Sequence, residues 1–182
     1  MPSSLAEIAR AAVACEKEFG VPAEFTVAQW AAESAWGKKE SGKNNVFGVK
    51  FLSPSIHPNG FTWVATREWF SDKQKELVEL GGLIRNLKTT GKTAGSAKEY
   101  TCEDRFANYA SLEEAVADRA RMFTTLRRYS PHVEAFKVDK DVNKLIAGIA
   151  AAGYATDPGY RTLLQKIAAQ KNVVDACAAA RA

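Results

Sequence analysis

The chain has 182 residues, an apolar fraction of 46% and a net charge of +4, enough for one domain with a sizeable core and only mildly suited to an anionic partner. No stretch is long and apolar enough to span a bilayer, and residues 1–20 read as an amphipathic helix rather than a signal peptide. Cys15, Cys102 and Cys177 are too widely spaced for a metal motif and odd in number for a disulfide framework. With His57 and His132 as the two histidines, no metal or other cofactor is expected, and the thiols read as buried or idle.

Ser4 and Glu7 form a capping box for a first helix, with Leu5, Ile8, Ala12 and Phe19 on one stripe. Pro22 suits the first turn of a second helix, which the pattern carries to a stop at Gly37. Short runs rich in aromatic and β-branched residues come next. "NNVFGVKF" and "GFTWVATREWF" read as strands, with "EYTCEDRFANY" as a candidate third. Alternation in the second run puts Phe61, Trp63, Ala65, Arg67 and Trp69 on one face, and Thr62, Val64, Thr66, Glu68 and Phe70 on the other.

Ser71 and Gln74 open another helix, with Leu77, Leu80, Ile84 and Leu87 behind them and a weak point at Gly81-Gly82. "KTTGKTAGSAK" (88–98) reads as a mobile loop; its Gly91-Lys92-Thr93 lacks the preceding glycine of a phosphate loop, since Asn86 stands there. Ser111 and Glu114 open a fourth helix with Leu112, Val116, Phe123 and Leu126 inward. Val142, Leu145, Ile146 and Ile149 mark a fifth, ended by Gly153. Asp157-Pro158 caps a sixth that carries Tyr160, Leu163, Leu164 and Ile167. The expectation is a mainly α (α+β) single domain over 1–182, a helical bundle with a small antiparallel β-lobe and insertion at 44–110.

One acid stands out. Glu33 lies near the end of the second helix, where the helix dipole disfavours a carboxylate. Trp30 and Trp36, three residues to either side, would shield it from water. Both effects predict a carboxyl group that retains its proton, as a general acid requires, and glycoside cleavage often uses one.

The surrounding stretch "QWAAESAWGKKESGKNNVFGVK" resembles the signature of the peptidoglycan glucosaminidases of glycoside hydrolase family 73, through Ala31, Glu33, Ser34, Trp36 and Gly37, then Asn44, Asn45, Phe47, Gly48 and Lys50. "RFANYASLEEAVADRARMF" is similar to a second family block through Phe106, Tyr109, Ser111 and Glu114. "AGYATDPGYRTLL" is similar to a third, through Gly153 to Pro158 and Tyr160. The resemblance implies a lysozyme-like fold with a substrate groove between helical bundle and β-lobe. It also implies hydrolysis of the β-1,4 bond after N-acetylglucosamine in peptidoglycan.

Carried over by residue, Glu33 is the general acid, Glu68 of Thr66-Arg67-Glu68-Trp69 the second carboxylate, and Tyr154 lies near the scissile bond. A helix and the 88–98 loop intervene before the Phe106 block, unlike the usual family pattern, so Glu99, Glu103 and Asp104 stand as alternatives to Glu68. Substrate contacts are expected at Trp36, Asn44, Asn45, Phe47, Trp69 and Tyr160. Asn44 and Asn45 also suit a turn, and Trp69 also suits a β-lobe core. A muramidase of the same fold and an inactive wall-binding module are the alternative functions. Retaining, inverting and substrate-assisted mechanisms all stay open. The expected partner is the glycan strand, with neither nucleic acid nor membrane. A cognate immunity protein is added if the domain is an injected antibacterial toxin rather than a phage lysin, and either carrier would bring it to the cell wall.

Overall fold

The computed structural model describes residues 3–155 and 159–182. The chain divides into two compact units, one built from residues 1–40 and 110–182 and the other from residues 41–109.

The first unit is helical: α1 (Leu5–Phe19), α2 (Ala23–Glu33), α4 (Leu112–Thr125), α5 (Ser130–Asp139), α6 (Val142–Ala151), α7 (Tyr160–Ala168) and α8 (Lys171–Arg181). The Ser4–Glu7 capping box forms as expected, and Gly20 ends α1 in a left-handed conformation at φ 75°. Pro22 is the N-cap of α2, which buries most of its residues between Ala23 and Ala31. That helix reads as apolar nearly all round because it is the central one, packed by α1, α7 and α8. The core gathers Ile8, Phe25, Trp30, Phe123, Tyr129, Leu145, Ile146, Ile149 and Leu164.

Two helices escaped the sequence pattern. α5 buries just Val133 and Phe136, and α8 just Val173 and Cys177, so neither has a long apolar stripe. The expected cap at Asp157-Pro158 lies outside the described residues; the described part of α7 starts after Gly159.

The second unit holds β1 (Phe61–Phe70), α3 (Asp72–Leu80), β2 (Ile84–Ala94) and β3 (Ala97–Ala107). The strands form one antiparallel sheet in the order β1-β3-β2. Three expectations are corrected here. "NNVFGVKF" is not a strand: Asn44 and Gly48 take positive φ, the chain turns, and Lys50 makes a lone bridge to Phe106. The helix after Ser71 stops at Leu80, because Gly81-Gly82 breaks it and Gly82 turns at φ 57°, so Ile84 and Leu87 belong to β2. The 88–98 segment is not a loop; its β-branched threonines extend β2, which turns back at Gly95-Ser96 into β3. α3 buries none of its residues, and Leu77 and Leu80 are exposed rather than inward.

Candidate active site

Glu33 is the last residue of α2, and beyond it the chain reverses tightly instead of continuing as helix. Ala35, Trp36 and Gly37 are all left-handed, at φ 50°, 60° and 78°. Ser34 fastens this turn. Its buried hydroxyl donates to the Trp30 carbonyl at 2.6 Å and accepts from the Gly37 N–H at 2.8 Å. Gly37 is required on two counts. Its φ is disfavoured for other residues, and a Cβ there would stand 2.3 Å from the Ser3 carbonyl oxygen and 3.0 Å from the Trp30 ring.

The expected tryptophan shield around Glu33 is therefore corrected. Trp36 lies beyond the helix, and Trp30 is buried, donating its indole N–H to Ser3 Oγ at 3.1 Å. The two rings meet edge to face at 5.8 Å, and Glu33 itself is exposed. Its neighbour is a tyrosine instead: Tyr160 of α7 donates its hydroxyl to Glu33 Oε1 at 3.1 Å, and Gln29, one turn back on α2, donates Nε2 to that same hydroxyl at 3.2 Å. Among the described residues, Glu33 Oε2 has no hydrogen-bond partner.

An aromatic cluster backs this group. Tyr154 packs on Tyr160 at 5.6 Å, Phe123 at 5.6 Å and Tyr129 at 6.0 Å. The buried Arg119 guanidinium lies 4.5 Å from the Tyr154 ring centroid. Burial pushes the Tyr154 and Tyr160 hydroxyls above their ordinary value of 10, and the nearby Glu33 charge pushes each further; Arg119 opposes both. Both phenols stay protonated donors at neutral pH.

The second unit carries the remaining acids. Glu68 lies 2.6 Å from Lys50 Nζ and accepts from Thr66 Oγ1 at 3.3 Å; Lys50 also meets Asp104 at 2.6 Å. Glu103 is bound by Arg85 and Asn86, each at 2.6 Å. Glu99 is nearly buried, and the Thr90 hydroxyl, then Lys92, hold its carboxyl below the usual carboxylate range. Trp69 is 44% exposed but is next to Glu68 in β1, so the two side chains lie on opposite sheet faces.

Asn45 is wholly buried, and its amide binds the Val49 and Ala107 carbonyls and the Val49 N–H. Asn44, at φ 57°, donates to the Tyr109 carbonyl at 3.0 Å, and Phe47 lies in the core. These three build the 42–50 turn; Asn45 and Phe47 are buried and Asn44 is half-buried. Trp36 is 37% exposed and packs against Trp30. Sequence reasoning missed Gln29 and Arg119. Gln29 is legible as the position one helical turn before Glu33, and Arg119 as a charge within the Val116–Phe123 stripe.

A carboxyl group at a helix end, with one oxygen tethered to a phenol and the other open, on a helical unit accompanied by a three-stranded unit, describes a lysozyme-like glycosidase domain. The chain belongs to the glucosaminidase family, whose model, described as mannosyl-glycoprotein endo-beta-N-acetylglucosaminidase, matches residues 9–173. Similar proteins include peptidoglycan hydrolase FlgJ of Escherichia coli K12, 29% identical over 178 residues, covering 94% of this chain and 47% of that protein. FlgJ of Salmonella typhimurium is 29% identical over 172 residues, covering 91% and 45%. The chain thus spans about half the length of these relatives. Similar folds include the catalytic domain of the Listeria monocytogenes autolysin Auto, with a TM-score of 0.65, 23% identity, and 94% and 84% of the two chains covered. The glycoside hydrolase domain of Salmonella typhimurium FlgJ gives 0.63, 24% identity, and coverage of 96% and 90%.

Proposed function

We propose that this chain is a peptidoglycan hydrolase that cleaves the β-1,4 bond following N-acetylglucosamine, with Glu33 as general acid. The observation that carries the reading is the Glu33 carboxyl group, exposed at the end of α2 with Oε1 tethered by Tyr160, inside a glucosaminidase match over residues 9–173. The relatives named peptidoglycan hydrolase supply the substrate class.

In this mechanism Glu33 transfers its proton to the glycosidic oxygen as the C1–O bond breaks, and the leaving sugar departs as an alcohol. Positive charge grows on C1 and the ring oxygen. Glu68, ion-paired with Lys50, is proposed as the second carboxylate. Water then adds to C1 and passes its proton to a carboxylate, so that Glu33 is reprotonated for the next turnover and a new reducing end is left. Tyr154 is proposed to lie against the scissile sugar and Trp36 to stack on a neighbouring ring. The same chemistry serves a phage lysin and an injected toxin, and in both settings it would lyse cells.

The test is mass spectrometry of fragments released from purified peptidoglycan. The wild type is expected to give reducing-end N-acetylglucosamine, and Glu33→Gln to release none. Reducing-end N-acetylmuramic acid would make the enzyme a muramidase. An active Glu33→Gln variant would remove the acid assignment.

A further inference from the structure

Gln29 is fully buried, yet among the described residues its Oε1 has no hydrogen-bond partner. An unpaired buried carbonyl costs free energy, and an apolar side chain of the same length would avoid that cost. The amide makes one side-chain bond, from Nε2 to the Tyr160 hydroxyl.

That bond has a directional consequence. A phenol has one proton. With Gln29 donating into the oxygen, the proton is left to point at Glu33 Oε1, 3.1 Å away. Turned the other way, the amide would present Oε1 to the hydroxyl and draw its proton off Glu33. With Glu33 ionised, the observed orientation makes two hydrogen bonds, Gln29 to Tyr160 and Tyr160 to Glu33, and the reversed one makes a single bond, because the carboxylate has no proton to give the phenol.

We propose that Gln29 is a positioning residue for the acid: it orients the Tyr160 hydroxyl so that Glu33 Oε1 is always the accepting oxygen and Oε2 the one that carries the transferable proton. A carboxylic acid that accepts at one oxygen bears its hydrogen on the other, so the chain Gln29–Tyr160–Glu33 decides which oxygen faces the substrate. This assigns Tyr160, 8% exposed, to holding the acid rather than to touching sugar. Among the described residues, the charged or titratable groups facing Glu33 are Tyr160 of α7, Tyr154 after α6 and, through them, Arg119 of α4. α1 and α8 bring Glu16 and Arg181 to the far end of α2, at Glu24.

The inference rests on Glu33 being the general acid, and Glu33→Gln is run in parallel so that the two ideas fail separately. Wild type, Gln29→Met, Tyr160→Phe and the double variant are compared on soluble, uncrosslinked glycan strands. Gln29→Met is expected to lower kcat about tenfold with KM within twofold, and to melt no lower than wild type. Tyr160→Phe should do the same to kcat, and the double variant should be no slower than Tyr160→Phe, because Gln29 acts through that hydroxyl. Gln29→Leu repeats the measurement should the methionine variant not fold. A wild-type kcat in the folded Gln29 variant, a change confined to KM, or multiplicative losses in the double variant overturns the proposal. If Glu33→Gln is active, the acid assignment falls first and the positioning role with it.

Discussion

Replacing Ser34 with alanine tests whether the turn after α2 is held as described. In an ordinary helix a serine that bonds back to the i−4 carbonyl adds little, and its removal is neutral or slightly stabilising. Ser34 differs because its hydroxyl also accepts from Gly37 N–H in a site with no solvent access. The Trp30 carbonyl still receives the Ser34 backbone N–H at 2.9 Å in the variant, so its loss is partial. The Gly37 N–H loses the hydroxyl it donates to, and stranding a buried donor costs about 1–3 kcal/mol. For a chain of this size each kcal/mol moves the melting temperature by roughly 2–4 °C, so Ser34→Ala should melt about 2–12 °C lower. The near-ultraviolet dichroism of the Trp30–Trp36 pair should weaken with it, since the 5.8 Å edge contact depends on the turn. Thermal unfolding followed by circular dichroism reads both. A variant that melts at or above the wild-type temperature with an unchanged tryptophan signal refutes the clasp.

Other outcomes come from the same packing. Phe123→Ala empties the centre of the Phe25–Tyr129–Tyr154 cluster from a residue with no exposed surface, and urea unfolding should show a loss of about 3–5 kcal/mol. Arg181 ties α8 to Glu16 of α1 and Glu24 of α2. Burial alone would raise the Glu24 carboxyl, but the Arg181 bonds outweigh it and set it below its ordinary 4.5. A depressed folded value means that this stability is present above the unfolded value and lost as pH falls through the folded one. Arg181→Gln should therefore cost roughly 1 kcal/mol at pH 7, discounted for the partly exposed arginine, and the gap from wild type should narrow in urea melts as the pH falls below 4.5. Burial pushes the Cys15 and Cys177 thiols up to about 12, so a thiol reagent at pH 8 should leave both unmodified in the native protein and label all three cysteines in urea.

The helices with a long apolar stripe or a strong cap were legible in the sequence: α1, α4 and α6 follow Ser4, Ser111 and the Val142–Ile149 run. α5 and α8 were not, because each buries two residues and spends the rest on solvent. In the β-hairpin at 84–107, the candidate strand "EYTCEDRFANY" is borne out as β3, but its partner was hidden for a different reason. Its outer strand β2 is exposed along nearly its whole length, and Thr, Lys and Gly on an edge strand carry the same composition as a loop. The 44–50 segment failed in reverse: it has strand composition, but Asn45 captures the backbone of Val49 and closes a turn that no propensity scale records.

Glu33 shows what sequence spacing conveys and where it stops. The helix end, the glycine stop and the two tryptophans all lie within ten residues, so local patterning singles out the acid. Local patterning also supplied the wrong surroundings, since it assumed that helical geometry continues to Trp36, whereas the chain reverses at Ser34. The group that does touch the carboxyl, Tyr160, is 127 positions away and arrives through the packing of α7 on α2. The difference is chemical as well as spatial. An apolar shield acts on both oxygens of a carboxyl group alike, whereas one directional donor makes them unequal. A general acid has to deliver its proton along one line to one oxygen of the substrate, and for that an inequality between Oε1 and Oε2 is more useful than dryness. The experiment that separates these accounts is Trp36→Phe, which keeps an aromatic ring and so tests shielding by the indole. It should leave kcat within about threefold of wild type, less than the roughly tenfold loss expected for Tyr160→Phe, a single lost donor being worth about 1.4 kcal/mol per factor of ten. If the order is reversed, shielding and not tethering governs the acid.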